Sequence, residues 1–269
     1  MTDDAQTPPQ TPPPPLPDPA QPAAAPDPAV LLAPGGPLYE RWADQLRRLE
    51  PPAWRRQTRG ERRWSVTLAM LVAVSVQMAL PTKLTISPHW LLPALELLLM
   101  LALLVANPHL RLERHTPLLR TLGLLLAGAV SVANGGSAVL LVHDLLTGGS
   151  TVSATALLMT GAGVWLTNII AFSLWYWEWD RGGPASRAMG THAYPDLLFP
   201  QMQQQGIAPP DWEPHYPDYL FVAFTNATAF SPTDTLPLSR WAKLLMTMQS
   251  MISLLTLALV IARAVNVLQ

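Results

Sequence analysis

The chain has 269 residues, 49% of them hydrophobic and only 13% charged, with a net charge of −1 and no cysteine. Soluble domains carry about 25% charged residues, so a charge-poor chain with its apolar residues bunched into runs reads as an all-α polytopic membrane protein. The balanced charge implies no nucleic-acid partner, and the missing cysteine excludes disulfides, thiol catalysis and Cys-based metal sites.

Residues 1–38 are dominated by Pro and Ala, including Pro12-Pro-Pro-Pro15. Such sequence cannot build a packed core and favours extended, polyproline-like conformations. A disordered tail is expected; a docking strip for a Pro-binding module is the alternative. Met1-Thr-Asp-Asp is acidic and no apolar core follows, so no signal peptide is expected and the first span itself should drive insertion.

Residues 39–63 form a basic juxtamembrane segment. Arg41, Arg47, Arg48, Arg55, Arg56, Arg59, Arg62 and Arg63 are interleaved with Trp42 and Trp54, and Pro51-Pro52 should break it. Arginines beside the first span place the N-terminus in the cytoplasm; an Arg/Trp mixture can also lie on an anionic lipid surface.

Residues 64–151 hold three predicted spans. Span one is Trp64 to Leu80 and span two Trp90 to Ala106, joined by a tight Pro81 to Pro88 connection. Span three, about Leu118 to His143, contains Ala127-Gly128, Ala133 and Asn134-Gly135-Gly136, small residues that let helices approach closely. The loop before it, with Arg111, Arg114 and Arg120, falls on the N-terminal side.

Residues 152–269 open with span four, about Val152 to Trp177, with Gly161 and Gly163 near its start. It closes on Trp175-Tyr-Trp-Glu-Trp179, expected as an aromatic belt at the membrane boundary, and Asp180-Arg-Gly-Gly-Pro184 should stop the helix. Residues 181–215 make a long Pro-bearing loop whose bulky groups, in Tyr194 to Phe199 and Pro210 to Pro214, are expected on the membrane surface. An apolar run, Tyr216 to Ser231, then a proline-bearing turn, then a long apolar helix, Trp241 to Val267, complete the chain. The run is short for a crossing and contains Thr225, Asn226 and Thr228. It is expected to enter and leave by one face of the bilayer, with a full crossing as the alternative.

The order Thr225-Asn-Ala-Thr228-Ala-Phe-Ser-Pro-Thr-Asp234-Thr-Leu-Pro237 resembles the pore helix, filter and post-filter turn of potassium channels. Ala227, Thr228, Asp234 and Pro237 fall where that family has its own Ala/Thr, Asp and Pro, while Ser231, Pro232 and Thr233 stand in place of Gly-Tyr-Gly. Residues 152–269 also resemble a family of uncharacterised bacterial inner-membrane proteins, in which a degenerate pore-like unit closes a chain of about five spans. The resemblance implies five transmembrane helices plus a re-entrant pore-helix-like segment, a multi-pass inner (plasma) membrane location, and partners that include the lipid bilayer, further copies of the chain as a homo-oligomer, and a monovalent cation.

A potassium filter aims consecutive backbone carbonyls at a bare ion. Glycines permit this because they accept left-handed backbone angles. Ser231 and Thr233 resist those angles, and Pro232 fixes φ and lacks an amide proton. What remains as a candidate ion path is a ring of hydroxyls, Thr225, Thr228, Ser231 and Thr233, with Asn226 and Asp234. It could pass hydrated cations around a shared axis or form a packed plug. Glu96, inside span two, is the candidate buried charge. A carboxylate there costs about 2.5–3.5 kcal/mol on insertion scales and needs a partner such as Gln77, Asn134, Asn168 or Gln249. It serves either ion or proton handling, or neutral interhelical bonding. No enzyme signature appears, no two of the six histidines have helical ligand spacing, and neither a metal nor a cofactor is implied. The functional expectation is a channel-like membrane protein, possible cation pathway included, against a non-conducting scaffold or assembly protein.

Overall fold

In the computed structural model the described residues are 33–36, 38–42, 51–106, 117–147, 154–204, 207–228 and 234–268. Two compact units divide after Glu50. In the first, residues 38–42 are helical, and Gly36 N–H donates to Ala33 O at 2.8 Å to turn the chain into that helix. The remaining Pro/Ala-rich residues and Arg47 and Arg48 lie outside the described residues, as do Arg111 and Arg114.

The second unit is all-helical apart from one minimal strand pair. Its helices are α1 (Trp64–Ala79), α2 (Leu91–Ala106), α3 (Pro117–Thr147), α4 (Ala154–Trp179), α5 (Pro184–Ala188), α6 (Pro200–Gln203), α7 (Tyr216–Thr228) and α8 (Arg240–Leu268). Three helical segments are long and apolar enough to cross a membrane: Pro117–Thr147, Leu158–Gly182 and Arg240–Ala262. Trp64–Ala79 and Leu91–Ala106 are apolar but shorter. At 1.5 Å per residue, each 16-residue helix rises about 24 Å, against a hydrocarbon core of about 30 Å.

Helix α4 is the axis of the bundle, packed against α1, α3, α7 and α8. Its neighbours run antiparallel to it, as three pairs of levels show. On α3, Gly123 sits beside Glu178 and Asn134 beside Asn168. On α8, Trp241 stacks on Trp179, Ser253 meets Asn168, and Val260 covers Gly161. On α1, Val76 and Leu80 cover Gly163. Close packing here follows from small residues: a Cβ on Gly161 would lie 2.6 Å from Val260 and one on Gly136 2.4 Å from Ile86. Gly128 and Gly135 do not share this duty, since a Cβ on either meets nothing within 4 Å.

These levels define two ends. At the Asp180 end lie Arg55, Arg56, Arg59, Arg62, Arg63, Arg120, Arg181, Arg187, Arg240 and Lys243; the α1–α2 connection at the other end carries Lys83. The loop at the Asp180 end is folded, not loose. Leu197–Leu198 (β1) pairs antiparallel with Leu236–Pro237 (β2), in register Leu197 to Pro237 and Leu198 to Leu236. Thr58 N–H donates to Ala188 O at 2.8 Å, and Thr58 Oγ1 to Glu213 at 2.8 Å.

Two expectations about the bulky groups need correction. Leu197 and Phe199 are buried in the core, and the half-buried Trp212 packs edge-on to Phe199 at 6.0 Å, so these side chains face protein, whereas Tyr194 is exposed as expected of a surface group. Within the aromatic run, Tyr176 and Trp177 are fully buried and so belong to the core and not to a belt, while Trp175 and Trp179 are half-buried, with Trp179 stacked between Trp175 and Trp241. The cause is the same in both cases: the loop and α7 fold over the end of α4 and cover it.

Gly123 and Gly128, five residues apart on α3, make a direct test of helix contact. A Cβ on Gly123 would lie 2.2 Å from the buried Glu178 carboxylate. Gly123→Ala is expected to destabilise the protein by about 1–3 kcal/mol through overpacking, and Gly128→Ala to leave stability unchanged, as measured by thermal unfolding in detergent followed by tryptophan fluorescence.

Candidate functional site

The pore-like unit is α7 and the segment after it. Its 13 residues rise only about 20 Å. The first turn is anchored at the Asp180 end. Asp218 accepts from His215 N–H at 2.8 Å, Glu61 accepts from Tyr216 N–H at 2.7 Å, and the hydroxyls of Tyr216 and Ser173 bond at 2.8 Å. Further along, Phe224 meets Trp165 edge-on at 6.0 Å, so α7 descends beside α4 toward its start. The chain then returns: β2 pairs with β1, and Trp241 Nε1 donates to Asp196 at 2.9 Å. Both the start of α7 and the start of α8 therefore sit at one end of α4.

Three of the six side chains singled out in this unit, Thr225, Asn226 and Thr228, have defined partners. Asn226 Nδ2 donates to Gln249 Oε1 at 2.8 Å and to Met246 O at 2.9 Å. Tyr176 O–H donates to the same Gln249 oxygen at 2.6 Å, and Gln249 Nε2 donates to Ala223 O at 2.7 Å. Ser250 O–H closes the set onto Asn226 O and Oδ1, each at 3.1 Å. Thr225 O–H is shared between Phe221 O and Val222 O at 3.0 Å, and Thr228 O–H donates to Thr225 O at 2.8 Å. The outer face of α7 shows Phe221 and Phe224. Asp234 is exposed; Ser231 and Thr233 lie outside the described residues.

Glu96 is wholly buried and takes the partner its position suggested. Gln77 Nε2 donates to both its oxygens, at 3.1 and 3.2 Å. Among the described residues, no hydrogen bond links Glu96 or Gln77 to the α7 unit. A separate polar tier crosses the bundle from α3 to α8: Asn134 donates to Asn168 at 3.3 Å and Asn168 to Ser253 at 2.9 Å.

The strongest electrostatic feature was missed by sequence reasoning. Asp180 is fully buried; its Oδ1 accepts from the N–H groups of Asp196 and Leu197 at 2.9 and 3.2 Å, and its Oδ2 from Tyr219 O–H at 2.6 Å. Arg187 donates to the carbonyls of Trp177 and Asp180 at 2.6 and 2.9 Å, with its guanidinium 4.9 Å from the Tyr219 ring. Arg181 adopts the left-handed conformation, φ 53°, which is uncommon outside glycine. It is held there by its N–H to Asp196 Oδ2 at 2.9 Å and by side-chain bonds to His192 O and Trp54 O. Nearby, Glu61 accepts from Trp177 Nε1 at 2.8 Å, and burial lowers the Arg63 guanidinium below its ordinary value against the opposing pull of Glu178 and Glu61. The available signal was the pair Glu178 and Asp180 inside an aromatic run, which reads equally well as a helix stop.

No protein-family model matches the chain, and neither does any curated protein or solved structure.

The Asn226–Gln249 bond joins α7 to α8 away from water. In a double-mutant cycle of Asn226→Ala and Gln249→Ala, followed by equilibrium unfolding in mixed micelles, a coupling energy of about 1 kcal/mol is expected; strict additivity would show that the two side chains do not hold each other.

Proposed function

We propose that this is a five-span integral membrane protein in which α7 is a re-entrant half-helix serving as a packing wedge, so that the whole acts as a non-conducting membrane scaffold or assembly protein. The carrying observation is the engagement of Thr225, Asn226 and Thr228 inside their own chain. Asn226 is tied to Gln249, Met246 and Ser250, and the hydroxyls of Thr225 and Thr228 close onto their own helix. An ion path needs such groups aimed at water or at the ion. Here the face turned outward is Phe221 and Phe224.

Re-entry is supported by length and by return. A 13-residue helix is too short for the hydrocarbon core, and β2 brings the chain back beside the loop that precedes α7. α4 and α8 flank α7, so protein covers the described part of the segment. The concentration of Arg at the Asp180 end favours that end as cytoplasmic, with the start of α8 on the same side.

One observation favours a second reading. Asp234 is exposed where the chain returns, and several copies could gather that carboxylate around an axis as a cation pathway. Ion flux into liposomes separates the two. Wild type, Asp234→Ala and Glu96→Gln are all expected to match empty vesicles; flux above that level in the wild type that Asp234→Ala abolishes would establish the cation pathway.

Because the chain has no cysteine, single cysteines report topology cleanly. Tyr194→Cys and Leu238→Cys are expected to react with an impermeant thiol reagent from the same side of the membrane, and Asn266→Cys from the opposite side. Labelling of Tyr194→Cys together with Asn266→Cys, with Leu238→Cys reacting from the opposite side, would mean that residues 216–231 cross completely.

A further inference from the structure

Beside α7 the surface of α8 is hollowed into a cleft of about 430 Å³, lined by Asn226, Lys243, Met246, Thr247, Ser250, Met251 and Leu254. Its chemistry is graded along the helix. Lys243 stands at the head, in the first turn of α8, and Met246, Met251 and Leu254 form the apolar wall below. The amide of Asn226 and the hydroxyls of Thr247 and Ser250 already donate to protein acceptors. Lys243 differs: it is exposed, and among the described residues no carboxylate lies within ion-pairing distance of it. Its place is also unfavourable for a cation, because the first turn of a helix carries the positive end of the backbone dipole. Arg240, one turn above it, is exposed on the same footing.

We propose that this cleft binds one anionic glycerophospholipid, with the phosphate at Lys243 and an acyl chain laid along Met246, Met251 and Leu254. Length supports the assignment. Lys243 to Leu254 spans eleven helical steps, about 16 Å, close to half of the roughly 30 Å hydrocarbon core, which is the depth of one leaflet. Charge supports it as well: the cleft opens at the Arg-rich end of the bundle, and basic side chains at that level attract anionic headgroups. A zwitterionic headgroup sets its own ammonium against the phosphate and so attracts Lys243 less strongly, and a free phosphate leaves the methionine and leucine wall uncovered. The inference needs α8 in a bilayer but not the re-entry of α7, so a failure of the scaffold reading leaves it standing.

The test uses the full-length chain purified in detergent and titrated with phosphatidylglycerol or phosphatidylcholine, with bound lipid counted by native mass spectrometry. The first phosphatidylglycerol is expected to bind about fivefold more tightly than phosphatidylcholine, the effect of one lysine near the headgroups. Lys243→Ala should abolish that preference and Lys243→Arg retain it, while Thr247→Trp, which fills the cleft, should weaken both lipids. Both replaced side chains are exposed, and thermal unfolding checks that each variant is folded. Equal binding of the two lipids by the wild type, a preference that survives Lys243→Ala, or displacement of phosphatidylglycerol by inorganic phosphate alone would overturn the proposal.

Discussion

The carboxylate of Asp180, closed off from water at the end of the central helix, governs how the chain is threaded. Removing a carboxylate from water costs several kcal/mol, and three donors offset it: the Tyr219 hydroxyl and the N–H groups of Asp196 and Leu197. Those donors come from the loop and from α7, so this single group ties both to α4. Asp196, held by Asp180, in turn accepts from Trp241, which brings the start of α8 to the same point. Arg187 satisfies the carbonyls below and places a positive charge beside the acid. With its two ends fixed in this way, the segment between Tyr216 and Pro237 has no freedom to finish elsewhere.

The interior bonds then set the depth of α7. In a low-dielectric interior an unpaired amide or hydroxyl costs more than a typical paired one gains. Sliding α7 by one turn along α4 would separate Asn226 from Gln249 and Tyr219 from Asp180 at once. Apolar contact alone could not enforce this, because lipid tails compete equally well for Phe or Leu. The polar pairs supply register, and the glycines of α3 and α4 supply closeness: Gly123 leaves room for Glu178, and Gly161 for Val260.

The helices were legible because an apolar run approaching bilayer length is rarely used for anything but a membrane helix. Span one was expected to end at Leu80 and ends at Ala79, and α3 extends to Thr147, past the expected His143; of the expected run Tyr216 to Ser231, the described part, Tyr216–Thr228, is helical. Glu96 was legible as a residue in need of a partner, and Gln77 was among the candidates, since charge in an apolar run is conspicuous. What could not be read was the Asp180 end. Asp180 finds Tyr219 across 39 residues and Glu61 finds Trp177 across 116, and no local pattern announces such pairs. The two-residue strands β1 and β2 are too short for any alternation to show. The aromatic run was misplaced for a related reason: Trp and Tyr suit both a membrane boundary and a buried hydrogen-bonded core, and only the folded loop decides between them.

The same ambiguity applies to the pore-like order of residues. Thr, Asn and Ser beside a short apolar helix serve an ion path when their polar atoms are left open, and serve packing when those atoms are closed. In α7 the threonines bond to carbonyls three or four residues back, a habit of hydroxyls in apolar helices, and the asparagine bonds to the next helix. Opening the asparagine would require breaking its bonds to Gln249 and Met246, which join α7 to α8. The closed polar groups of Thr225, Asn226 and Thr228 and the exposed Phe221 and Phe224 are what the proposed packing role of α7 rests on.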